Sequence, residues 1–510
     1  MLQTCWVSFV SALDDLIASG KPVEDKIDGA RVFLDLPRWR IMTEHLAEGI
    51  YALAGLWAEP DMVHAALLDA KAARIAIVSL ACPDGSFPAL SALHAPAIRL
   101  ERTIFDLFGL VPEGAPDTRP WLDHGRWPVQ HPLGAATPAA PRRCYDFLAA
   151  EGEGIHQIAV GPVHAGIIEP GHFRFSANGE TIVRLEQRLG YAHKGIEALF
   201  RGAELDQAAK LSGRVSGDST VAYSLAFARA VENALGVTLT QPAHVLRALM
   251  AELERLANHL GDIGAICNDA GFALLQAHCA VLRELVLRAA LSCFGHRLMR
   301  DVVVPGGVRL ELKAPAFREL ALLVKEIRQR FPDLVELYDK TASLQDRTVG
   351  TGIVTPALVR QFAAGGYVGR ASGRAFDARR EFCYPPYDRL EFEVPVLEDG
   401  DVNARVWIRI HEVEQSLRLI DQSLALQVEG RVDTPLPSGR GEGFALVEGF
   451  RGDILAWVRL EADGRVARCH LRDPSWFQWP LLEAAVEGNI VADFPLCNKS
   501  FNCSYSGHDL

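Results

Sequence analysis

Although the chain has ten cysteines, at positions 5, 82, 144, 267, 279, 293, 383, 469, 497 and 503, no two of them form a Cys-x-x-Cys pair. Without paired spacing, neither a zinc site nor an iron–sulfur cluster held by this chain alone is indicated. Scattered thiols fit a reducing compartment. Long apolar runs are missing too. The nearest candidate for a membrane span, residues 272–299, is broken by Arg283, Glu284, Arg288 and Arg297, so it reads as a core helix, and any membrane association must come through partners. Positive charge is scarce, with 52 Lys and Arg against 64 Asp and Glu and a formal net charge of -12. A surface that wraps nucleic acid needs concentrated basic charge, which argues against that class. The first residues, Met1-Leu2-Gln3-Thr4-Cys5-Trp6, carry no basic segment, and Asp14 and Asp15 interrupt the apolar stretch behind them. They do not read as a signal peptide, and the chain is expected in the cytoplasm.

What is there begins with bulk: 510 residues, 49% of them hydrophobic, allow large cores in roughly two to four domains. The chemistry gathers in residues 160–220, which collect Glu169, His172, Arg174, His193, Arg214 and Asp218. Two alternating runs, 172–177 and 180–185, flank Asn178-Gly179, a strong hairpin signal that places positive φ at the turn. After Gly213, the polar turn Arg214-Val215-Ser216-Gly217-Asp218-Ser219-Thr220 feeds an apolar run over 221–231. That run reads as a buried helix capped by Ser219 or Asp218.

Ahead of this stretch, residues 1–125 read as a small α/β domain: a helix over 11–19, a strand over 29–36, a helix over 37–47, and a strand over 53–59 followed by another helical stretch. Residues 112–141 are rich in Pro and Gly and cannot hold regular structure for long, so 126–147 is expected to be a linker. From 148 onward, apolar residues at spacings of three and four predict long helices over 242–266, 272–300, 317–343 and 402–427. Strands are expected over 445–449, 453–458 and 466–471. The fold class is therefore α+β: a small N-terminal α/β domain, then a bundle of long helices with peripheral β-hairpins over 148–510.

The turn at Arg214 and the C-terminal segment Asn502-Cys503-Ser504-Tyr505-Ser506-Gly507 resemble the large subunit of energy-converting (group 4) [NiFe]-hydrogenases and the related hydrogenase-like large subunit of complex I. In the hydrogenases these segments read Arg-Ile-Cys-Gly-x-Cys and Asp-Pro-Cys-x-x-Cys, and their four thiolates bind nickel and iron. Here the four ligand positions hold Ser216, Ser219, Ser504 and Gly507. A nickel–iron site needs soft, ionised thiolates; a serine hydroxyl stays protonated near neutral pH and glycine offers no side chain. The expectation is no metal and no hydrogen turnover. Cys503, one position before a ligand position, reads as a small half-buried thiol, and the sequence stops at Leu510 without the tail that active members shed. The segment 101–110, Glu-Arg-Thr-Ile-Phe-Asp-Leu-Phe-Gly-Leu, resembles complex I's small neighbouring subunit, which energy-converting hydrogenases fuse in front of the large one. Glu101, Arg102 and Asp106 are expected in ion pairs at a subunit boundary.

The resemblance implies a partner small subunit carrying a [4Fe-4S] cluster, antiporter-like membrane subunits, and a place on the inner face of the cell membrane. It also implies a cavity that takes a quinone or another acceptor, or relays protons; the alternative is a scaffold or coupling subunit with no redox chemistry of its own. Glu169 and His172, followed by Arg174, read equally as a proton-handling cluster or as a salt-bridge network shaping the turn. His164 reads as a satisfied structural histidine. His193 matches a family position at the cavity's edge. Arg214 matches the residue beside the hydrogenase metal and is expected to pair with Asp218 or a partner carboxylate. Asp218, beside two lost cysteines, is expected to fill and polarise the vacated cavity. His508 and Asp509, near the end of the chain, are expected to be exposed.

Overall fold

The computed structural model describes residues 11–23, 30–139, 144–164, 168–426 and 429–510. The chain divides into two compact units, one of Met1–Pro120 with Trp127–Ala140, the other of Trp121–Arg126 with Pro141–Leu510.

In the first unit, α1 (Ala12–Ser19) opens on a capping box: the Ser11 hydroxyl accepts from Asp14 N while the Asp14 carboxylate reaches back to Ser11. A five-stranded sheet contains β1 (Lys21–Pro22), β2 (Ala30–Phe33), β3 (Ala52–Glu59), β4 (Met62–Asp69) and β5 (Arg74–Ala81) in the order β1-β2-β5-β4-β3, with β2 and β5 parallel. Helix α2 (Leu36–Glu48) starts where the Asp35 side chain accepts from Arg38 N, with Pro37 in the first turn, and stops at Gly49. The helix expected after residue 59 is instead the strand pair β4 and β5. Its run Ala65-Ala66-Leu67-Leu68 carries no period of its own, and pairing with β3 on one side and β5 on the other decides for strand. Among its described residues the Pro-rich stretch holds only short pairings, Val111–Glu113 with Ser86–Pro88 and Val129–Gln130 with Thr137–Pro138.

Helix α3 (Ile98–Phe108) carries the segment singled out at 101–110. Glu101 is fully buried, and rather than pairing with a cation it accepts from Leu90 N at 2.6 Å, Ser91 N at 3.1 Å and the Ser91 hydroxyl. Arg102 bonds within its own unit to Asp117 at 3.0 Å and to Arg119 O. Both pin loops to α3: Arg102 forms the ion pair expected of it, with Asp117, whereas Glu101 takes neutral donors instead of the expected cation.

In the second unit, β6 (Ile155–Val160), β7 (His172–Asn178) and β8 (Thr181–Arg188) form an antiparallel sheet. The hairpin lies where the sequence placed it, but Asn178 pairs with Thr181, so the two-residue loop is Gly179-Glu180, with φ +59° at Gly179. The slip has a packing cause. Ile182 and Leu185 are three apart and both buried, so strict alternation cannot turn both inward; a bulge at Val183, which is exposed, restores the phase.

Five helices follow the expected pattern closely: α4 (Thr220–Leu235), α5 (Gln241–Asp269), α6 (Ala273–Phe294), α7 (Ala314–Lys340) and α8 (Val402–Ala425). The last sheet, β9 (Gly441–Gly449), β10 (Gly452–Leu460) and β11 (Val466–Arg472), lies against α4. Gly441 and Gly443 allow that contact, since a Cβ at either would overlap the carbonyl of Ala234 or Ala230. Three short helices close the chain: α9 (Ser475–Ala485), α10 (Phe494–Phe501) and α11 (Tyr505–Asp509). Among the described residues no helix is long and apolar enough to cross a membrane.

Between α5 and α8 the interior is charged. Arg370 binds Glu412 and Glu448, His259 donates to Glu412 at 2.7 Å, Arg379 joins Glu252 to Asp377, and Arg409 meets Asp262. Buried pairs of this kind cost desolvation and fix arrangement more than they add stability.

Candidate functional site: the meeting of the 214–219 turn with the C-terminal segment

The two segments that would carry metal ligands do meet. Ser216 Oγ lies 2.9 Å from Ser504 Oγ, and both residues are buried. Ser216 Oγ also donates to Asp218 Oδ1 at 2.7 Å, and Ser219 Oγ to the same oxygen at 3.2 Å. Ser504 caps α11 by accepting from Gly507 N at 2.9 Å.

Into this junction reaches a residue that the sequence pattern did not single out. Arg451 sits in the two-residue loop between β9 and β10, where Gly449 pairs with Gly452. Its Nη1 and Nη2 donate to Asp218 Oδ1 and Oδ2 at 2.8 and 2.5 Å, Nη1 also reaches Ser219 Oγ at 3.2 Å, and Nε donates to Asn502 O at 2.5 Å. One guanidinium thus binds both segments. Burial pushes the Asp218 carboxyl up, but Arg451 and the two serine hydroxyls outweigh it and hold the group at about 2. Asp218 therefore sits in the junction with a partner that no local pattern announced, because an arginine between glycines in a hairpin turn reads as solvent-facing.

Arg214 turns elsewhere. It forms a two-pronged pair with Asp301 at 2.6 and 2.8 Å, half exposed, and not with Asp218. The helix cap also differs from expectation: neither Ser219 nor Asp218 caps α4. Instead Glu254, from α5, accepts from Val221 N at 2.7 Å and Ala222 N at 3.0 Å, because the tight Ser216–Ser219 turn already commits their side chains to Arg451 and each other.

The remaining candidates do not form one cluster. Glu169 accepts from Ser506 N at 3.0 Å, which brings it to the C-terminal turn. Lys194 Nζ, beside it, donates to Val215 O and Ser506 O. His172 bonds through Nδ1 to Gly161 O at 3.3 Å and packs on Phe147, and burial lowers its pKa. Arg174 donates to Gln157 and covers the same Phe147 ring. His164 bonds to Gly171 O at 2.8 Å. His193 donates through Nδ1 to Asp509 O at 2.7 Å.

Two residues are corrected outright. His508 and Asp509 are fully buried, not exposed. Trp121 Nε1 donates to His508 Nε2, His508 Nδ1 donates to Asp509 Oδ1 at 2.8 Å, and Trp476 stacks on the ring at 3.9 Å. Ala192 N bonds Asp509 Oδ2. Proximity to the end of the sequence implied exposure; aromatic burial overrides it. Cys503 likewise is buried rather than half-buried.

The donor set does not fit a nickel–iron centre. Two hydroxyls are bonded to each other, the third to Asp218, and at Gly507 a Cβ would overlap the Asp473 carboxylate. Asp473 is itself fixed by the Tyr223 hydroxyl at 2.5 Å and by Ser475 N. Among the described residues, no group of three or more His, Cys, Asp and Glu could hold a metal ion.

Comparison with known proteins decides the lineage. Residues 269–438 match the respiratory-chain NADH dehydrogenase 49 kDa subunit family, and residues 51–143 match the 30 kDa subunit family. Formate hydrogenlyase subunit 5 of Escherichia coli (strain K12) is 32% identical over 440 residues, 83% of this chain and 77% of that protein. The chain belongs to the hydrogenase-like large subunits of the energy-converting [NiFe]-hydrogenase and complex I family. Within this family, the carbon monoxide-induced hydrogenase of Rhodospirillum rubrum is 29% identical over 355 residues, covering 68% of this chain and 97% of the relative. A chain of the membrane-bound sulfane sulfur reductase, an archaeal respiratory membrane complex, superposes with a TM-score of 0.67 and 25% identity over 71% of this chain and all of that one. This large subunit thus joins a 30 kDa-type segment and a 49 kDa-type segment in one polypeptide.

Proposed function

We propose that this chain is a metal-free large subunit of a membrane-associated, complex I-related oxidoreductase. It docks a small subunit carrying a [4Fe-4S] cluster, sits on the inner face of the cell membrane against antiporter-like subunits, and couples electron transfer to proton or ion movement. The observation that carries this reading is the Arg451–Asp218 pair, which binds together the two segments that thiolates and metal join in hydrogenases. An organic cation stands in for the metal's charge and for its cross-link. Glu169 and Lys194, bonded to the C-terminal turn and to Val215, supply ionisable groups between the surface and the centre, and the centre's acceptor is a quinone or a proton relay.

The same ion pair also supports a second reading, a scaffold without redox work, because it neutralises the Asp218 carboxylate at the centre. In the purified complex, Glu169→Gln and Asp218→Asn are expected to reduce electron or proton flux at least tenfold, while the complex stays assembled. Unchanged flux in both variants selects the scaffold. Stoichiometric nickel in the purified complex by elemental analysis would overturn the metal-free reading.

A further inference from the structure

Beneath the Asp218 turn lies a partly open cavity of about 100 Å³, lined by α5, α6 and the loop after α6. That is room for a few water molecules. Its polar lining is Asp218, Glu254, Asn258, Arg283 and Arg297. Asn258 ties the wall together, donating to Asp218 O at 2.8 Å and to Glu254 O at 2.9 Å.

The charged groups around Glu254 are accounted for on every side. Asp218, on the turn, is held by Arg451. Arg297, on the loop, is paired with Glu284 at 2.8 Å. Arg255, its neighbour on α5, bonds to Glu412, Gly449 O and Glu448 O. Arg283, on α6, lies along Gly261. The Glu254 residue is 7% exposed, and among the described residues its carboxylate bonds only to the two backbone N–H groups that open α4. It is a buried carboxyl on a cavity wall with donors but no guanidinium or ammonium bonded to it. Each oxygen spends one lone pair on an N–H and keeps the other for a proton.

We propose that Glu254 is the proton-exchanging carboxyl of this cavity, taking a proton from cavity water when negative charge gathers at the Asp218 turn and returning it when that charge leaves. The step is a simple transfer: an O–H bond of water or hydronium breaks, one forms on Glu254 Oε1 or Oε2, the carboxylate becomes a neutral acid, and no electron moves within it. Burial is the largest influence on this group and raises it to about 8, the Asp218 charge adding to the rise and the α4 N–H groups opposing it. Asp218, at about 2, stays ionised throughout the same range. Proton exchange near neutral pH therefore falls to Glu254 and not to the group at the centre. The role as a coupling element rests on the redox reading above; the proton exchange itself does not.

The test is an infrared pH titration of the purified complex. Expected is a carbonyl stretch of a protonated carboxyl that titrates away near pH 8 and is absent in Glu254→Gln. Since glutamine also disturbs the α4 cap, Asp218→Asn serves as the second variant: it leaves Glu254 in place and Arg451 hydrogen-bonded, but removes the negative charge beside them. The band's midpoint should then fall by about one unit or more. A wild-type spectrum without a titrating carboxyl band, or a midpoint indifferent to Asp218→Asn, overturns the proposal. A titrating band in a complex that carries no electron flux supports the proton site and overturns the redox reading instead.

Discussion

Arg451 and Asp218 illustrate how much one residue pair decides. The guanidinium is buried and the aspartate side chain keeps 36% of its surface, so the pair lies between the fully buried and the exposed regimes. Removing one partner of a fully buried pair strands a charge at a cost of several kcal/mol, while solvent screening at Asp218 reduces it. Arg451→Met should therefore destabilise the chain by about 1–3 kcal/mol, and Asp218→Asn by less, because the asparagine still accepts from the serines and the arginine. The double variant should lose less than the sum of the two, a coupling that denaturant unfolding in a double-mutant cycle would measure. Additive losses would mean the pair is incidental to the junction.

At the level of elements, the site is where a helix entry, a hairpin tip and a C-terminal turn converge, and only part of that convergence could be read in advance. The helices were legible because residues such as Val245, Leu249, Leu253, Leu256 and Leu260 repeat at three and four, and all are buried. The convergence of Ser216 with Ser504 was legible through the two displaced motifs. The β9–β10 tip was not, since its position depends on Gly441 and Gly443 letting β9 touch α4, a tertiary contact with no local signal. The same geometry predicts the outcome of restoring the ligands. With Ser216, Ser219, Ser504 and Gly507 all replaced by Cys, the side chain at 507 collides with Asp473 and Arg451 still occupies the junction. Elemental analysis should find no stoichiometric nickel, and the melting temperature should fall, in line with about 1–3 kcal/mol of overpacking. Nickel taken up by that variant would show that the hydroxyls alone, and not the surrounding packing, exclude the metal.

For the whole molecule, the interior charge sets how stability depends on pH. Burial raises Glu254 to about 8 and Glu101, in the other unit, to about 7, whereas it lowers His244 and His94 to about 4. A glutamate raised from 4.5 contributes stability that is complete below 4.5 and is lost as the pH rises through its folded value. A histidine lowered from 6.5 contributes stability that is present above 6.5 and is lost as the pH falls through about 4. The two sets oppose each other, so the fold should be most stable on the acid side of neutrality and weaken toward pH 8. Each glutamate contributes a slope on the order of 1.4 kcal/mol per pH unit inside its window. Glu254→Gln loses the titration and part of the α4 cap, so it should be less stable than the wild type at pH 5, and the difference should shrink and then reverse as the pH approaches 8, because the wild type alone loses the Glu254 contribution. Urea midpoints of the full chain at a series of pH values would register that reversal. Parallel curves for the two proteins would mean that Glu254 stays ionised in the folded state, with the backbone N–H groups of α4 outweighing its burial.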